Sequence, residues 1–175
     1  RGHRQAVPAE ATFHQIDVRE TLQLAGILRR YYIDCVVHFA ALAYARESVI
    51  RPFRYYLNNV TGMISLLDAM RKAGVKRIVF SSTCATYGNP SEVPIVETMP
   101  QEPINPYGRT KLLAEWMLRD YLVESPDFAF VALRYFNVAG CAIDGSVGED
   151  HAPETHLIPI VLQTVIGLRK FVTVF

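Results

Sequence analysis

The sequence predicts an α/β fold with a doubly wound parallel sheet, and three observations support this. Short apolar runs alternate with amphipathic stretches of helical length along the 175 residues. The runs at 35–40 and 77–82 have the apolar character of strands that are covered on both faces. The intervening stretches are long enough for helices, and helices between successive strands form right-handed crossovers, which require parallel strands.

The predicted elements follow one another in chain order. We expect a strand at 12–18, a helix at 19–32, a strand at 35–40, a long helix at 52–73 that stops at Gly74, and a strand at 77–82. A proline-rich loop follows, and Asn105-Pro106 is typical of a helix start, with Asn at the N-cap and Pro in the first turn. A strand at 128–136, a loop at 141–154 and a helix at 157–170 come next, and "FVTVF" begins a further strand.

Composition excludes several classes of function. The net charge of +1 gives no electrostatic argument for nucleic acid or an anionic membrane as partner, and no apolar run approaches the roughly 20 residues that span a bilayer. The three cysteines are far apart and form no CxxC pair, which indicates a reducing, cytoplasmic environment without structural zinc. His151 and His156 lack a carboxylate cluster that would complete a metal site, so we expect no metal.

Tyr107 and Lys111 lie four positions apart near the predicted start of a helix, on one helical face. A tyrosine with a pKa of about 10 needs about 4 kcal/mol to act as a base near neutral pH. A lysine charge about 5 Å away supplies about 3 kcal/mol at an effective dielectric near 20. The pair can be an ordinary exposed pair, with Lys111 bonding Glu115, or a phenol whose pKa is lowered for proton transfer.

Three hydroxylated residues, Ser81, Ser82 and Thr83, follow the apolar strand that begins at position 77. They either satisfy the backbone where the strand ends or present a hydroxyl to a ligand. Ligands of doubly wound sheets bind outside the carboxyl ends of the strands, which favours the second interpretation.

Six stretches occur in the order found in one enzyme family: "HFAALAYARESV", "YYLNNVTGMISLLDAM", "FSSTCATYG", "PINPYGRTK", "LRYFNVAG" and "PETHLIP". Together they resemble the UDP-glucose 4-epimerase family, in the extended branch of the short-chain dehydrogenases/reductases. The resemblance implies a Rossmann-like domain that binds NAD, and a UDP-sugar as substrate.

The resemblance also implies a role for residues that match the family's motifs. The catalytic residues would be Thr83, Tyr107 and Lys111. Besides Tyr107 and Lys111, the cofactor would contact Asp17, Val18, Phe39, Ala40, Ala41, Leu42, Ala43, Asn58, Ser81, Tyr135 and Phe136. Besides Thr83 and Tyr107, the substrate would contact Asn137, His156 and Leu157.

The implied reaction is a redox-neutral inversion at C4 of the sugar. Tyr107, helped by Thr83, removes the proton of the 4-hydroxyl, hydride passes from C4 to NAD⁺, and the 4-keto sugar rotates and takes the hydride back on its other face. Lys111 would orient the cofactor ribose and lower the pKa of Tyr107. Related 4,6-dehydratases carry acidic residues where this chain has Cys84-Ala85, which disfavours dehydration.

Alternatives stay open. UDP-arabinose/UDP-xylose or a UDP-N-acetylhexosamine can be the substrate, or the chain can be a non-catalytic relative that binds nucleotide sugars. Arg46 stands where the family usually has glycine.

The residues at the start of the sequence resemble a segment that, in the family, comes after a first strand, a glycine-rich turn and a second strand. Most of the family's C-terminal substrate domain would follow position 175. Residues 1–175 are therefore expected to be a partial NAD-binding domain that by itself binds NAD poorly, and the full-length protein is expected to be a homodimer.

Overall fold

The structure is a computed structural model that describes residues 3–151 and 154–173. The chain divides into two compact units. His14–Phe136 forms one unit and contains the sheet, whereas residues 3–13 and 137–173 belong to the other. Within the described residues, no helix has the length and apolarity required to cross a bilayer.

The sheet has three parallel strands in the order β1-β2-β3: β1 (Val36–His38), β2 (Arg77–Thr83) and β3 (Ala129–Tyr135). β2 is central, and its register aligns His38 with Phe80 on one side and Thr83 with Tyr135 on the other. The carboxyl ends of the three strands therefore lie at one edge of the sheet. These observations confirm the predicted α/β class with a parallel sheet.

Helices connect the strands, and they include one, Ala45–Ile50, that the pattern does not predict. α1 (Thr21–Arg30) precedes β1, and α2 (Ala45–Ile50), α3 (Pro52–Tyr55) and α4 (Thr61–Ala73) connect β1 to β2. A π-helical turn, Tyr56–Val60, joins α3 to α4. A short 3₁₀ turn, Cys84–Thr86, and α5 (Pro106–Glu124) connect β2 to β3, and α6 (Leu157–Val165) belongs to the other unit.

The core lies between the sheet and helices α1, α4 and α5. Its buried apolar members include Met63, Leu66 and Met70 of α4, Ile78 and Phe80 of β2, and Leu118 of α5. Two predicted helix boundaries are confirmed in this unit. Gly74 ends α4 with a left-handed backbone, φ +76°, and its backbone N–H bonds carbonyls of the last turn. The Asn105 side chain caps α5.

Three strand predictions are wrong or too long. Residues 12–18 form no strand, because no described residue pairs with them and a strand is defined by its hydrogen-bonded neighbour. The strand predicted at 35–40 is limited to Val36–His38, and it is not covered on both faces, since Val37 is 57% exposed. Residues 171–173 of "FVTVF" are not in a strand, and residues 174–175 lie outside the described residues.

The last helix is shorter than predicted. The pattern predicts a helix over 157–170, whereas α6 ends at Val165. Gly167 follows with φ +80°, a left-handed conformation that favours glycine and ends a helix. The apolar residues beyond this glycine therefore do not continue the helix.

Candidate active site

The first turn of α5 positions the tyrosine–lysine pair. The Asn105 side chain accepts a hydrogen bond from the backbone N–H of Gly108 at 2.8 Å, and Pro106 occupies the first helical position. The backbone N–H of Tyr107 donates to the Ser48 hydroxyl at 3.1 Å, which ties α5 to α2. Ser48 is fully buried and was missed by the sequence analysis, since a single serine in a helix carries no local signal.

Gly108 allows α5 to approach the turn that follows β2. A Cβ at this position would lie 2.5 Å from the Ala85 carbonyl oxygen and 2.9 Å from the Pro103 Cβ. The side chain of Thr83 accepts a hydrogen bond from the Ala85 backbone N–H at 3.1 Å, so the same turn also holds the threonine. Close packing at a glycine therefore brings the start of α5 against the end of β2.

Replacing Gly108 with alanine is expected to lower the free energy of unfolding by about 1–3 kcal/mol, because the added methyl group collides with backbone. Gly26→Ala is the matched control: nothing lies within 4 Å of a Cβ there, and Gly26 is inside α1. That variant is expected to be more stable by about 0.5–1 kcal/mol. Urea unfolding of both variants checks the prediction, and equal effects of the two substitutions would contradict it.

Lys111 is buried one turn after Tyr107. Its ammonium group donates to the Ser81 carbonyl at 2.5 Å and lies 4.9 Å from the centroid of the Phe80 ring and 6.0 Å from that of Tyr107. The bond to Glu115 that an exposed pair would form is not made, since Lys111 points to the end of β2. Burial lowers the pKa of Lys111 to about 8.

The predicted lowering of the Tyr107 pKa is wrong for the chain as described. Burial raises the pKa of this phenol above its ordinary value, and a hydrogen bond with Thr83 lowers it only in part, while the neighbouring Cys84 raises it further. The lysine charge was expected to lower this pKa, but that expectation left out the cost of removing the phenolate from water.

Lys111 makes stability depend on pH in a defined direction. Between the folded pKa of about 8 and the ordinary value of 10.5, the unfolded chain binds a proton that the folded chain does not. The free energy of unfolding should therefore rise with pH in this interval, and the Lys111 contribution between pH 8 and pH 9.5 is about 2 kcal/mol. Lys111→Met removes that contribution.

The measurement is urea unfolding at pH 8 and pH 9.5. The observable is the change in the free energy of unfolding between these pH values in the wild type, minus the same change in Lys111→Met. This difference cancels the opposite effect of Cys84, whose pKa is raised by burial. Lys72→Met, on the exposed end of α4, is the control, and its free energy of unfolding should change between the two pH values as much as that of the wild type. An identical pH response of the wild type and Lys111→Met would show that Lys111 is not desolvated in the folded chain.

Residues predicted to contact the cofactor lie mainly at the carboxyl edge of the sheet. Phe39 directly follows β1 and Tyr135 ends β3, and the centroids of their two rings lie 6.4 Å apart. Phe39 and Phe136 are 63% and 57% exposed. This edge therefore presents exposed aromatic rings beside the backbone that Lys111 contacts.

The segment after β1 is held by an asparagine that the sequence analysis did not select. Asn59 accepts a hydrogen bond from the Leu42 backbone N–H at 2.9 Å and donates to the Leu42 carbonyl at 3.0 Å and to the Thr110 hydroxyl at 3.0 Å. Asn58, the predicted cofactor residue, donates to the Asn59 side chain. Asn59 thereby fixes the predicted cofactor segment, which comprises Phe39, Ala40, Ala41, Leu42 and Ala43, to α5.

Asp17 and Val18 have different surroundings. The Asp17 carboxylate accepts hydrogen bonds from the Arg19 backbone and guanidinium at 2.7–2.9 Å, which lowers the pKa of Asp17 to about 2. Val18 packs against the core. Arg46 is exposed in the first turn of α2 and has an ordinary helical backbone, so this position does not require glycine.

A buried carboxylate, Glu115, connects α5 to the two strands whose ends carry the site. It accepts hydrogen bonds from Ser82 of β2 at 2.5 Å and from the Arg134 guanidinium of β3 at 2.8 and 3.0 Å. Gln101 adds a bond at 3.2 Å. Burial alone would raise the pKa of Glu115, but the bonds from Arg134 and Ser82 outweigh it and lower the pKa. Neither Glu115 nor Arg134 was selected from the sequence.

His38 is a core residue, as predicted. It is 7% exposed and stacks on Phe80, with ring centroids 5.9 Å apart. Burial, helped by the charge of Lys111, lowers the pKa of His38 to about 4. The imidazole is therefore neutral near pH 7.

The predicted substrate residues Asn137, His156 and Leu157 belong to the other unit. Asn137 and Leu157 are exposed, and His156 bonds Glu154 at 2.8 Å. The expectation that His151 and His156 lack a carboxylate cluster is wrong, because the loop folds so that Glu149 and Glu154 lie beside both imidazoles. All four residues lie within eight positions of one another, and the sequence analysis considered only the two histidines.

The chain matches one family of known proteins over most of its length. The model of the NAD dependent epimerase/dehydratase family matches residues 1–170. The chain belongs to this family. It is 54% identical over 175 residues to UDP-glucose 4-epimerase of Lactobacillus helveticus, covering 99% of this chain and 52% of that protein. The chain thus spans about half the length of the curated relatives that it matches.

Two solved structures extend the comparison. The UDP-glucose 4-epimerase from Brucella ovis in complex with NAD has a TM-score of 0.92 and 49% identity, covering 98% of this chain and 52% of that chain. The Stenotrophomonas maltophila enzyme with bound NAD and formylated UDP-arabinopyranose has a TM-score of 0.89 and 39% identity, covering 94% and 49%. The family member thus has the fold of UDP-sugar epimerases over nearly its whole length.

Proposed function

We propose that this family member acts within a UDP-hexose 4-epimerase that interconverts UDP-glucose and UDP-galactose. The observation that carries the proposal is the position of Tyr107 and Lys111, which the first turns of α5 hold against the carboxyl end of β2, next to Thr83. The names of the 54% identical relative and of the Brucella ovis structure support the same reaction.

The residues at the sheet edge fit one end of NAD. Exposed aromatic rings of Phe39 and Phe136 offer apolar surface for a nicotinamide ring, and Lys111 is a buried cation beside it that suits ribose hydroxyls. Asp17 offers a carboxylate for the adenosine end. No G-x-x-G-x-x-G turn, the element that binds the pyrophosphate, occurs among the 175 residues.

Each catalytic residue has a defined task in the proposal. Tyr107, as the phenolate, accepts the proton of the sugar 4-hydroxyl at its phenol oxygen and returns it after C4 has been inverted. Thr83, held at the end of β2, bridges that hydroxyl to the phenol. NAD, when bound, supplies the hydride acceptor and donor and a positively charged ring. Lys111 places its ammonium group 6.0 Å from the centroid of the Tyr107 ring, and in the proposal its charge and that of NAD would oppose the burial that raises the Tyr107 pKa.

The proposed reaction is tested in a chimera, in which this chain replaces the residues that it matches in the Lactobacillus helveticus enzyme. We expect conversion of UDP-galactose to UDP-glucose, with UDP-N-acetylgalactosamine and UDP-arabinose as the alternative substrates. The Stenotrophomonas maltophila structure contains a UDP-arabinopyranose derivative, which supports testing the second alternative. A folded chimera that contains NAD and converts none of these sugars would support the non-catalytic alternative instead.

Two further parts of the proposal concern the whole protein. A homodimer stays a prediction. It is supported by exposed apolar side chains on the helical stretches at 52–73 and 106–123, where Leu57, Ile64 and Trp116 are 45–54% exposed. A cytoplasmic location likewise stays a prediction, which is supported by the three free cysteines.

A further inference from the structure

Four side chains of the loop before α6 converge on one point. Glu149, His151, Glu154 and His156 each direct one ligand atom inward, and these four atoms lie within 4.8 Å of one another. The His156 Nδ1 is 2.8 Å from Glu154 and 3.2 Å from Glu149, and the His151 Nδ1 is 3.3 Å from Glu149 and 3.8 Å from Glu154. Each imidazole thus faces both carboxylates through its own Nδ1 atom.

We propose that these four residues form a binding site for a divalent transition-metal ion, with Zn²⁺ as the fitting ion. A tetrahedral zinc bonds nitrogen and oxygen ligands at about 2.0–2.2 Å, which places neighbouring ligand atoms about 3.4 Å apart. The nitrogen–oxygen distances in the cluster, from 2.8 to 3.8 Å, lie on both sides of that value. Two imidazoles exclude Mg²⁺ and Ca²⁺ as preferred ions, because those ions select oxygen ligands.

The backbone holds one ligand in position. The Glu154 side chain is 5% exposed, and its carboxylate accepts hydrogen bonds from the backbone N–H groups of Thr155 and His156, both at 2.7 Å. Hydrogen bonds of this kind orient a metal-ligating carboxylate. The Glu149 side chain is 18% exposed and the two imidazoles 32–39%, so an ion can reach the cluster from solvent.

The same nitrogen atoms can bind either a proton or a metal ion. An imidazole Nδ1 that lies at hydrogen-bond distance from a carboxylate carries a proton between them. A zinc ion placed among the four atoms replaces these protons and neutralises two carboxylates at once. A cluster held by protons alone is the competing interpretation, and it predicts no zinc binding. The proposal does not involve Tyr107 or NAD. It shares one residue with the predicted substrate contacts, since His156 belongs to both, and for this reason the test below substitutes Glu149 and His151.

The experiment titrates the 175-residue chain, first stripped with a chelator, with zinc in competition with a chromophoric zinc indicator. We expect the wild type to bind one equivalent of zinc. Glu149→Gln and His151→Gln should each lose more zinc affinity than the roughly 10–100-fold that is typical when a residue next to a ligand, rather than the ligand itself, is changed. Glu149→Gln preserves side-chain size, and the ion pairs of Glu149 among the described residues are those with the two histidines, so the fold should tolerate the change.

Controls separate this site from other zinc ligands. His3→Gln removes an exposed histidine that pairs with Asp150, and Cys141→Ser removes an exposed thiol, and both should retain one equivalent. Cobalt in place of zinc should give the visible absorption of a tetrahedral nitrogen–oxygen site without thiolate charge-transfer bands. The absence of a bound equivalent, or binding that survives His151→Gln and disappears in Cys141→Ser, would overturn the proposal.

Discussion

Tyr107→Phe is expected to reduce the turnover number of the chimera about 10³-fold with little change in bound NAD. The phenol oxygen is the only heavy atom removed, and general acid–base catalysis contributes about 10²–10⁴-fold. Tyr107 is half-buried beside Thr83, and its backbone N–H is bonded to Ser48, so the ring should keep its position without the hydroxyl. The measurement is the initial rate of UDP-glucose formation from UDP-galactose.

Tyr31→Phe is the matched control, because it removes a phenol oxygen from the exposed residue that follows α1. Its activity should equal that of the parent chimera. Retention of more than about a tenth of the parent turnover number in Tyr107→Phe, with an unchanged melting temperature, would show that another group transfers the proton.

Glu115→Ala is expected to destabilise the chain by about 3–5 kcal/mol, the cost of breaking a buried ion pair by removing one partner. Glu115 is fully buried, and the Arg134 side chain with which it forms two hydrogen bonds is only 15% exposed. Removing the carboxylate also leaves the Ser82 hydroxyl without its acceptor. Urea unfolding, followed by the fluorescence of the single tryptophan, measures the change.

Arg119→Ala tests the same carboxylate from its exposed side. Arg119 bonds Glu115 at 3.2 Å, but its side chain is 48% exposed, and exposed ion pairs contribute less than about 1 kcal/mol. We therefore expect a large effect from Glu115→Ala and a small one from Arg119→Ala. If the two variants lost comparable free energies of unfolding, the Glu115 hydrogen bonds would act as exposed ion pairs and would not stabilise the packing of α5 on β2 and β3.

Local signals in the sequence were sufficient for the elements that carry the candidate catalytic residues. Asn105-Pro106 predicts the start of α5 because an N-cap side chain and a first-turn proline act within one helical turn. Tyr107 and Lys111 then share a face by helical geometry alone. The position of Thr83 at a strand end follows from the apolar run before it.

Contacts between distant segments were not predictable from the same signals. The bonds from Asn59 to Leu42, and from Glu115 to Arg134, depend on how α5 crosses the sheet, which no local pattern encodes. Residues 12–18 have the composition of a strand, but strand formation requires a paired neighbour. The pKa of Tyr107 was misjudged for a related reason, since desolvation is a property of the packed structure.

The fate of the hydrogen on C4 tests the central claim most directly. In the chimera, UDP-galactose carrying deuterium at C4 is converted in ordinary water, and the UDP-glucose product is analysed by mass spectrometry. Hydride transfer at C4, with Tyr107 handling only the hydroxyl proton, predicts that the deuterium stays on C4 of the product. Replacement of that deuterium by solvent hydrogen would contradict the account, because it would mean that a base removes the C4 hydrogen as a proton.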